Sequence, residues 1–299
     1  MKYAWVTEHA ALYPITAMCR MLDISDSGYY DWRVRAPSAR AIRHEGIAGA
    51  VKQVHAEQAG IPGSRKIAAE LRERPELPSA CRQTVQVVMT KMGLAGASPK
   101  RFVPTTTQAD PSKIPAPNIL AQAFTATRPN EKWVTDITYI WTDEGWVYLA
   151  AMLDLFSRKI IGWEMGRTLE TSLVEGCLRN AVEARRPGHD LLHHSDRGCQ
   201  YTSDGYRKML KTLNMECSMS RTGCCYDNAA CERFWWSLKH EWTNRRNYAT
   251  MEDARFSVWQ YIEVYYNQKR RHEVLGYHTP NSFEAAYAAG LLNAKLLAA

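Results

Sequence analysis

Several features that mark common protein classes are missing from the 299 residues of this chain. Its eight cysteines form no C-x-x-C pair, which argues against a zinc finger. No apolar run reaches the roughly 18 residues of a transmembrane helix. Near the start, Glu8 and His9 stand where a signal peptide would need an apolar core. We therefore expect a cytoplasmic protein whose cysteines are mostly small buried side chains.

The charge of the chain is positive but unevenly spread. There are 38 Lys and Arg against 31 Asp and Glu, a formal net charge of +7. Residues 1–107 hold 15 of the cations and only 9 of the acids, so the remainder is close to neutral. This asymmetry favours a front region that binds a polyanion and a more neutral back region.

The front region shows two successive groups of short helices. We predict a helix-turn-helix in residues 1–40 and a second one in residues 41–98, the arrangement that places a recognition helix in a major groove. For the first group, a small pair of packing helices is an equally good interpretation. The predicted helices are Ile15–Leu22, Ser27–Arg33 with Ser25 as cap, Glu45–Glu57, Arg65–Arg74 with Ser64 as cap, and Ser79 to about Met92.

The last of these helices carries polar side chains suited to reading bases. Arginine can pair bidentately with a guanine edge, and glutamine with an adenine edge. The candidates for DNA contact here are Arg82, Gln83 and Gln86.

Residues 99–130 are rich in Pro, Thr and Ala, a composition that predicts an extended linker.

Residues 131–245 then change to β-branched and aromatic strands alternating with helices. Three antiparallel strands followed by helix, strand, helix, strand and helix predict an α/β core, a mixed sheet covered on both faces, in the order of the RNase H-like fold. The predicted strands are Trp133–Thr142, Trp146–Leu155, Lys159–Met165, Leu191–His194 and Met215–Met219, and the predicted helices between them are Thr171–Arg186 and Ser203–Leu213. Residues 246–299 are expected to be a C-terminal helical extension, with helices at residues 251–267, from Pro280 to about Ala289, and in the final GLLNAKLLAA.

Three carboxylates stand at special places in the predicted core. Asp136 lies inside an aromatic strand, where a charge is costly unless it is paired or bound to a metal. Asp196 follows a short buried strand, and Glu232 opens a helix. Because ligand groups gather beyond strand ends in open α/β sheets, the three could converge. Carboxylate oxygens suit Mg²⁺ or Mn²⁺, and two such ions would serve phosphoryl transfer.

The helix that carries Glu232 is predicted to run from Asp227, as its N-cap, to Trp242. At about 100° per residue, several side chains share the face of the glutamate. A carboxylate with a lysine two turns further on, flanked by indoles, is unusual for a packed face. The residues on this face are Asn228, Glu232, Trp235, Trp236 and Lys239.

Some other polar residues read as structural or remain open. Asp154 is expected to pair with Arg158 in the following turn, and His193 and His194 to be hydrogen-bonded inside the core. The indoles of Trp235 and Trp236 could stack on a base or simply pack. A basic patch near the end could contact phosphates or be a solvated face; it consists of Arg270, Arg271 and His272.

Thirty-five residues separate Asp196 from Glu232. Together with WVTDITYI, LDLFSRKIIGW, HSDRGCQYTS, DNAACERFWWSLKHEW and YNQKRRHEVLGYHTP, this spacing resembles the second-reading-frame transposases of the insertion-sequence-3 family. The likeness runs over nearly the whole chain. In the predicted loop, however, the chain reads RTGCCYDNA, with Cys224 and Cys225 where more polar or aromatic residues are expected.

The resemblance implies a DDE transposase with an integrase-type catalytic core. Asp136, Asp196 and Glu232 would then be catalytic metal ligands, Lys239 would contact the transposon end, and Asn228 would steady the site. The implied partners are the terminal inverted repeats, target DNA, further copies of the chain on DNA and a smaller upstream-frame product. Because the chain shows no heptad run, the leucine zipper expected of that product would lie outside it.

Two interpretations from other classes remain open. One is a sequence-specific DNA-binding regulator with an inactive core, which the presence of all three carboxylates disfavours. The other is a plain RNase H-like nuclease, which the two predicted helix-turn-helix units and Lys239 disfavour.

Overall fold

The computed structural model of the chain describes residues 2–97, 115–221 and 224–292. The chain begins with α1 (Lys2–His9), α2 (Ile15–Met21) and α3 (Asp26–Val34). The Ser25 hydroxyl accepts a hydrogen bond from the backbone N–H of Gly28, the cap that the sequence predicts. A small apolar cluster holds these helices together and contains Val6, Met18, Cys19 and Tyr29.

The next three helices are α4 (Ala39–Glu57), α5 (Ser64–Glu73) and α6 (Arg82–Lys91), packed around a separate apolar cluster. Their number and order were predicted, but their starts differ. Capped by Ser38, α4 begins six residues before the predicted start, and Gly63 rather than Ser64 is the N-cap of α5. The start of α6 lies beyond the predicted Ser79 cap.

A five-stranded sheet forms the centre of the molecule, in the order β3-β2-β1-β4-β5. β1 pairs antiparallel with β2, and β2 with β3, while β4 lies parallel to β1 and β5 parallel to β4. This is the mixed sheet that the sequence predicts. The strands are β1 (Lys132–Thr142), β2 (Gly145–Asp154), β3 (Ile160–Gly166), β4 (Leu191–Ser195) and β5 (Met215–Met219).

Helices cover both faces of the sheet, and each face has its own apolar core. On one face lie α7 (Thr171–Arg185), the short α8 (Cys199–Thr202) and α9 (Asp204–Thr212), packed on Trp133 and Met152 among others. On the other lie α10 (Ala229–Glu241), α11 (Met251–Trp259) and α12 (Pro280–Ala288).

Two predictions about the helices of the second face need correction, and a third cannot be followed. α10 begins at Ala229, because Cys225–Asn228 forms a 3₁₀ turn and Asp227 does not cap the helix. The predicted helix of residues 251–267 is α-helical only to Trp259 and continues as the wider π-helix Gln260–Tyr266. The predicted final helix falls largely on residues 293–299, outside the described residues.

The linker prediction can be followed only in part, since residues 98–114 lie outside the described residues. Residues 115–130 contain no helix or strand, as predicted. They are nevertheless attached to the core: the backbone N–H groups of Ile119 and Leu120 donate to the Ser218 hydroxyl at 2.9 and 3.1 Å, and the side chain of Leu120 is buried.

Candidate active site

The first two candidate carboxylates lie at the same level of neighbouring strands. β1 and β4 run in parallel register, with Lys132 opposite Leu192 and Val134 opposite His194. Two residues beyond the last pair stand Asp136 in β1 and Asp196 just after β4, and the charge of Asp196 acts on Asp136. β4 ends one residue before Asp196, so the chain turns outward there.

Hydrogen bonds from the protein fix both aspartates. The Asp136 Oδ1 accepts from the backbone N–H of Ile137 at 2.8 Å, and its Oδ2 accepts from the indole Nε1 of Trp235 at 3.0 Å. The Asp196 Oδ1 accepts from the backbone N–H of Gly198 at 2.9 Å. Trp235 belongs to α10, three residues after Glu232, so this bond places the start of α10 over the strand end.

The charges of Asp196 and Glu232 act on Asp136. Burial, the negative charge of Asp196 and, to a smaller extent, that of Glu232 together raise the pKa of Asp136 to about 7, against the two hydrogen bonds that lower it. Glu232 is exposed overall, yet partial burial raises its pKa as well. Within the described residues no Lys, Arg or His forms an ion pair with Asp136 or Glu232. Such a site favours a bound cation.

The carboxylates do not yet form a closed set of metal ligands. Across residues 2–97, 115–221 and 224–292, no group of three or more His, Cys, Asp and Glu side chains is arranged to hold a metal ion. The chemistry of the donors nevertheless fits a hard divalent cation, since every candidate donor is a carboxylate oxygen and a cation would offset their repulsion.

Comparison with known proteins places this site in a family. Residues 126–225 and again 213–280 match the family described as Integrase core domain, and residues 43–102 match the HTH-like domain. The chain is 37% identical over 289 residues to the transposase InsF for insertion sequence IS3A of Escherichia coli K12, covering 95% of this chain and 98% of that protein. The chain belongs to the IS3 family of transposases. It is therefore a DNA transposase, a polynucleotidyl transferase with an RNase H-like integrase core and an HTH-like domain.

Two further similar proteins complete the comparison. The transposase is 35% identical over 283 residues to an uncharacterized 31 kDa protein of insertion element IS600 from Shigella sonnei, covering 90% of this chain and 98% of that one. Among solved structures, a simian T-cell lymphotropic virus intasome in complex with the PP2A regulatory subunit B56 gamma aligns at a TM-score of 0.46 and 13% identity, covering 78% of this chain and 74% of that chain. None of the transposase helices in the described ranges is long and apolar enough to cross a membrane.

Asp227 of the transposase anchors the segment before α10, although it does not cap the helix as predicted. Its carboxylate accepts from Asn118 Nδ2 at 2.8 Å, from Gln122 Nε2 at 2.9 Å and from the Arg221 backbone and guanidinium at 2.8 to 3.0 Å. Hydrogen bonds from Arg221 hold the pKa of Asp227 far below its usual range. The acid thus ties residues 115–130 to the start of the catalytic helix.

The remaining candidates on α10 divide into buried and accessible. Asn228 is buried, and its Nδ2 donates to the carbonyl of Thr135 at 3.3 Å. This placement supports the predicted steadying role and does not fit a DNA contact. Lys239 is half-buried, with its Nζ 4.5 Å from the centre of the Tyr139 ring. Trp235 packs and donates to Asp136, a role that the sequence did not reveal, whereas Trp236 remains partly exposed.

The residues predicted to be structural have internal partners. His193 Nε2 lies 2.9 Å from the Tyr206 hydroxyl, and His194 lies between the hydroxyls of Ser218 and Ser220. Burial lowers the pKa of His193 to about 3 and that of His194 to about 4, so both are neutral near pH 7.

Asp154 is fully buried, as its structural reading requires, but the predicted ion pair with Arg158 is wrong. Its carboxylate pairs with Arg185 at 3.2 Å and accepts from the backbone N–H of Phe156 at 2.9 Å. The Arg158 guanidinium instead donates to the carbonyl of Phe124 at 3.2 Å.

The predicted basic patch near the C-terminus is buried, which corrects its reading as a phosphate-binding surface. Both Arg270 Nε and Nη2 donate to the Glu241 carboxylate at 2.7 Å. Arg271 Nε donates to Glu70 at 2.8 Å, and His272 is buried beside Arg270. These cations already have internal partners. Arg270 and Arg271 connect the end of α10 to α5, a long-range contact that the local sequence does not predict.

The base-reading candidates are all exposed on α6. Arg82, Gln83 and Gln86 are exposed in the first turns of α6, while Val85 and Val88 on the opposite side are buried. The helix therefore presents a polar face to solvent.

Proposed function

We propose that the transposase cleaves and joins DNA at the ends of its element by a DDE mechanism in which Asp136, Asp196 and Glu232 hold two Mg²⁺ or Mn²⁺ ions. The observation that carries this assignment is electrostatic. The charges of Asp196 and Glu232 both raise the pKa of Asp136, and within the described residues no protein cation pairs with Asp136 or Glu232. An acid inside β1 that is destabilised by two further acids would form a site completed by a divalent cation.

The proposed reaction has two displacements at phosphorus. When bound, the metal ions supply an activated oxygen nucleophile and stabilise the leaving oxygen. In the first displacement a water oxygen bonds to phosphorus, the P–O3′ bond breaks, and the proton passes to the departing oxygen, which leaves as a 3′-hydroxyl. In the second displacement that hydroxyl bonds to phosphorus in a second strand and releases another 3′-hydroxyl. Phosphodiester bonds are exchanged without a link to the protein.

Several residues of the chain would orient the carboxylates for this chemistry. The indole of Trp235 and the N–H of Ile137 each donate to one oxygen of Asp136 and so hold its carboxylate in a fixed orientation. The N–H of Gly198 does the same for Asp196. Asn228 links the start of α10 to β1 through Thr135, which keeps Glu232 near the strand that carries Asp136.

DNA would be held by two separate parts of the chain. Lys239, two turns after Glu232 and half-buried beside Tyr139, would contact the phosphates of the transposon end next to the site. The exposed face of α6, with Arg82, Gln83 and Gln86, would read base edges in the terminal inverted repeats. The protein would also bind target DNA, assemble with further copies of the chain on DNA and act with an upstream-frame partner. It would work at the nucleoid in the cytoplasm.

A strand-transfer assay on duplexes that carry the element's ends tests this proposal. The wild-type protein should join a labelled end to target DNA only with Mg²⁺ or Mn²⁺ present, and Glu232→Gln should give no joined product while still binding the duplex. End-independent degradation without joining would indicate a nuclease instead. Binding without any cleavage by the wild-type protein would indicate a regulator.

A further inference from the structure

A basic cleft opens in the second helix-turn-helix region, away from the carboxylate site. Its volume is about 560 Å³, and it lies between the start of α4, the end of α5 and the start of α6. Three arginines line it, Arg40 and Arg43 from α4 and Arg72 from α5, together with His44. No Asp or Glu is among its lining residues.

The arginines of the cleft differ from their neighbours in having no acidic partner. Arg40, Arg43 and Arg72 are exposed, and none of them forms an ion pair with any residue in the described part of the chain. Two positions beyond Arg72, by contrast, Arg74 pairs with Glu57 and with Glu70, each at 2.9 Å. Acids are therefore available on these helices, yet the cleft excludes them. Three guanidinium groups that line one cleft without an acid give it a positive potential, which an anion bound there would offset.

The cleft also faces the first turn of α6. Cys81 is the N-cap of this ten-residue helix, and its side chain makes no cap hydrogen bond to the free N–H groups. The exposed residues Arg82, Gln83 and Gln86 follow directly. A helix that enters a major groove by its N-terminal end has the phosphates of the groove wall beside that end.

We propose that the cleft of Arg40, Arg43 and Arg72 binds the phosphodiester backbone of duplex DNA and so sets the position of α6 on the duplex. The proposal rests on the DNA-binding function proposed above and assigns a separate task to the cleft. Its arginines supply affinity that is independent of sequence, whereas the face of α6 supplies the choice of bases. The guanidinium fork suits this task because it donates to two phosphate oxygens at once.

Binding measured without catalysis tests the proposal. Fluorescence anisotropy in EDTA would follow an end-containing duplex and a random duplex over a series of salt concentrations. The triple variant Arg40→Gln, Arg43→Gln, Arg72→Gln should weaken binding of both duplexes by the same factor, and the slope of log K against log salt should become shallower by about 2 to 3. Arg82→Ala should instead reduce discrimination between the duplexes, roughly tenfold.

A matched control and a second readout separate the cleft from general charge or misfolding. Lys52→Gln removes an exposed cation from the same helix α4 outside the cleft. It should reduce the slope of log K against log salt by less than the triple cleft variant does. In the wild-type protein, duplex DNA should slow alkylation of the exposed Cys81, followed by mass spectrometry. A folded triple variant with unchanged affinity and slope, or Cys81 labelled equally fast with DNA, would overturn the proposal. If the binding and alkylation results are as expected but the wild-type protein gives no strand transfer, only the catalytic assignment would be overturned.

Discussion

Two glutamates at opposite ends of α10 have opposite environments. Glu232, near the start, is exposed, has no ion pair among the described residues, and has a raised pKa. Glu241, at the end, is buried and accepts two hydrogen bonds from Arg270 and one from Tyr261 at 2.9 Å, with Lys66 Nζ at 3.5 Å. Burial alone would raise the pKa of Glu241, but the hydrogen bonds and charge of Arg270 lower it.

The difference separates acids that stabilise the fold from acids that are available to a ligand. The protein surrounds Glu241 with donors, so its charge is compensated internally and joins α10 to α5 and to the C-terminal segment. Glu232 and Asp136 form no direct ion pair in the described part of the chain, and only the half-buried Lys239 responds to the charge of Asp136, so a bound cation would compensate them further. An uncompensated acid beside another acid is thus a better sign of function than burial or charge alone.

The strongest way to test the contrast is to neutralise the acids of the carboxylate site. Asp136→Asn or Glu232→Gln should reduce strand transfer by about a thousandfold or more, because each removes a charge that stabilises the reacting phosphate through the bound cation. Strand-transfer rates on end-containing duplexes would measure the loss. Glu216→Gln, at an exposed position of β5, is the matched control and should keep full activity. Activity within tenfold of wild type in either site variant would contradict the ligand assignment.

Neutralising the acid at the other end of α10 should damage the fold instead. Glu241→Gln leaves Arg270 buried without a counter-charge and should lower the free energy of unfolding by about 3 kcal/mol. Urea denaturation measures it. The double variant Glu241→Leu, Arg270→Met should recover most of the loss, because it removes both charges together. A loss under about 1 kcal/mol in the single variant would show that this pair is not a structural joint.

The same contrast separates what the sequence could and could not predict. Strand limits were close because alternating β-branched and aromatic residues encode them locally. Asp136 was singled out because a charge inside such a strand is conspicuous, and its role as a metal ligand stays a prediction. Partners far apart in sequence were missed. Nothing near Arg270 shows that Glu241, 29 residues earlier, will neutralise it, so a buried ion pair was read as a phosphate-binding patch. Asp227 was read as a local cap for the same reason.

Metal binding should stabilise the protein through one end of α10 only. Saturating Mg²⁺ should raise the free energy of unfolding by about 2 kcal/mol, because it binds the folded state alone. The stabilisation by Mg²⁺ should be absent in Glu232→Gln and present in Glu241→Gln. Since the pKa of Asp136 is raised to about 7, the ion must displace a proton at lower pH, and its affinity should fall as pH drops below 7. Thermal unfolding with Mg²⁺ or EDTA at pH 6 and pH 8 checks both statements; equal affinity at the two values would contradict the coupling.

The smallest effect belongs to an exposed ion pair near the Glu241 joint. Arg65 and Glu273 lie 3.0 Å apart, but their side chains are 52% and 65% exposed, so water and salt screen their attraction. Arg65→Gln should therefore lower the free energy of unfolding by less than about 0.5 kcal/mol, measured by the urea midpoint at low and high salt. The Arg65–Glu273 pair joins α5, and the Glu241–Arg270 pair joins α10, to the same C-terminal segment. The two pairs differ mainly in solvent exposure. A cost for Arg65→Gln near that of Glu241→Gln would mean that burial is not what makes the joint strong.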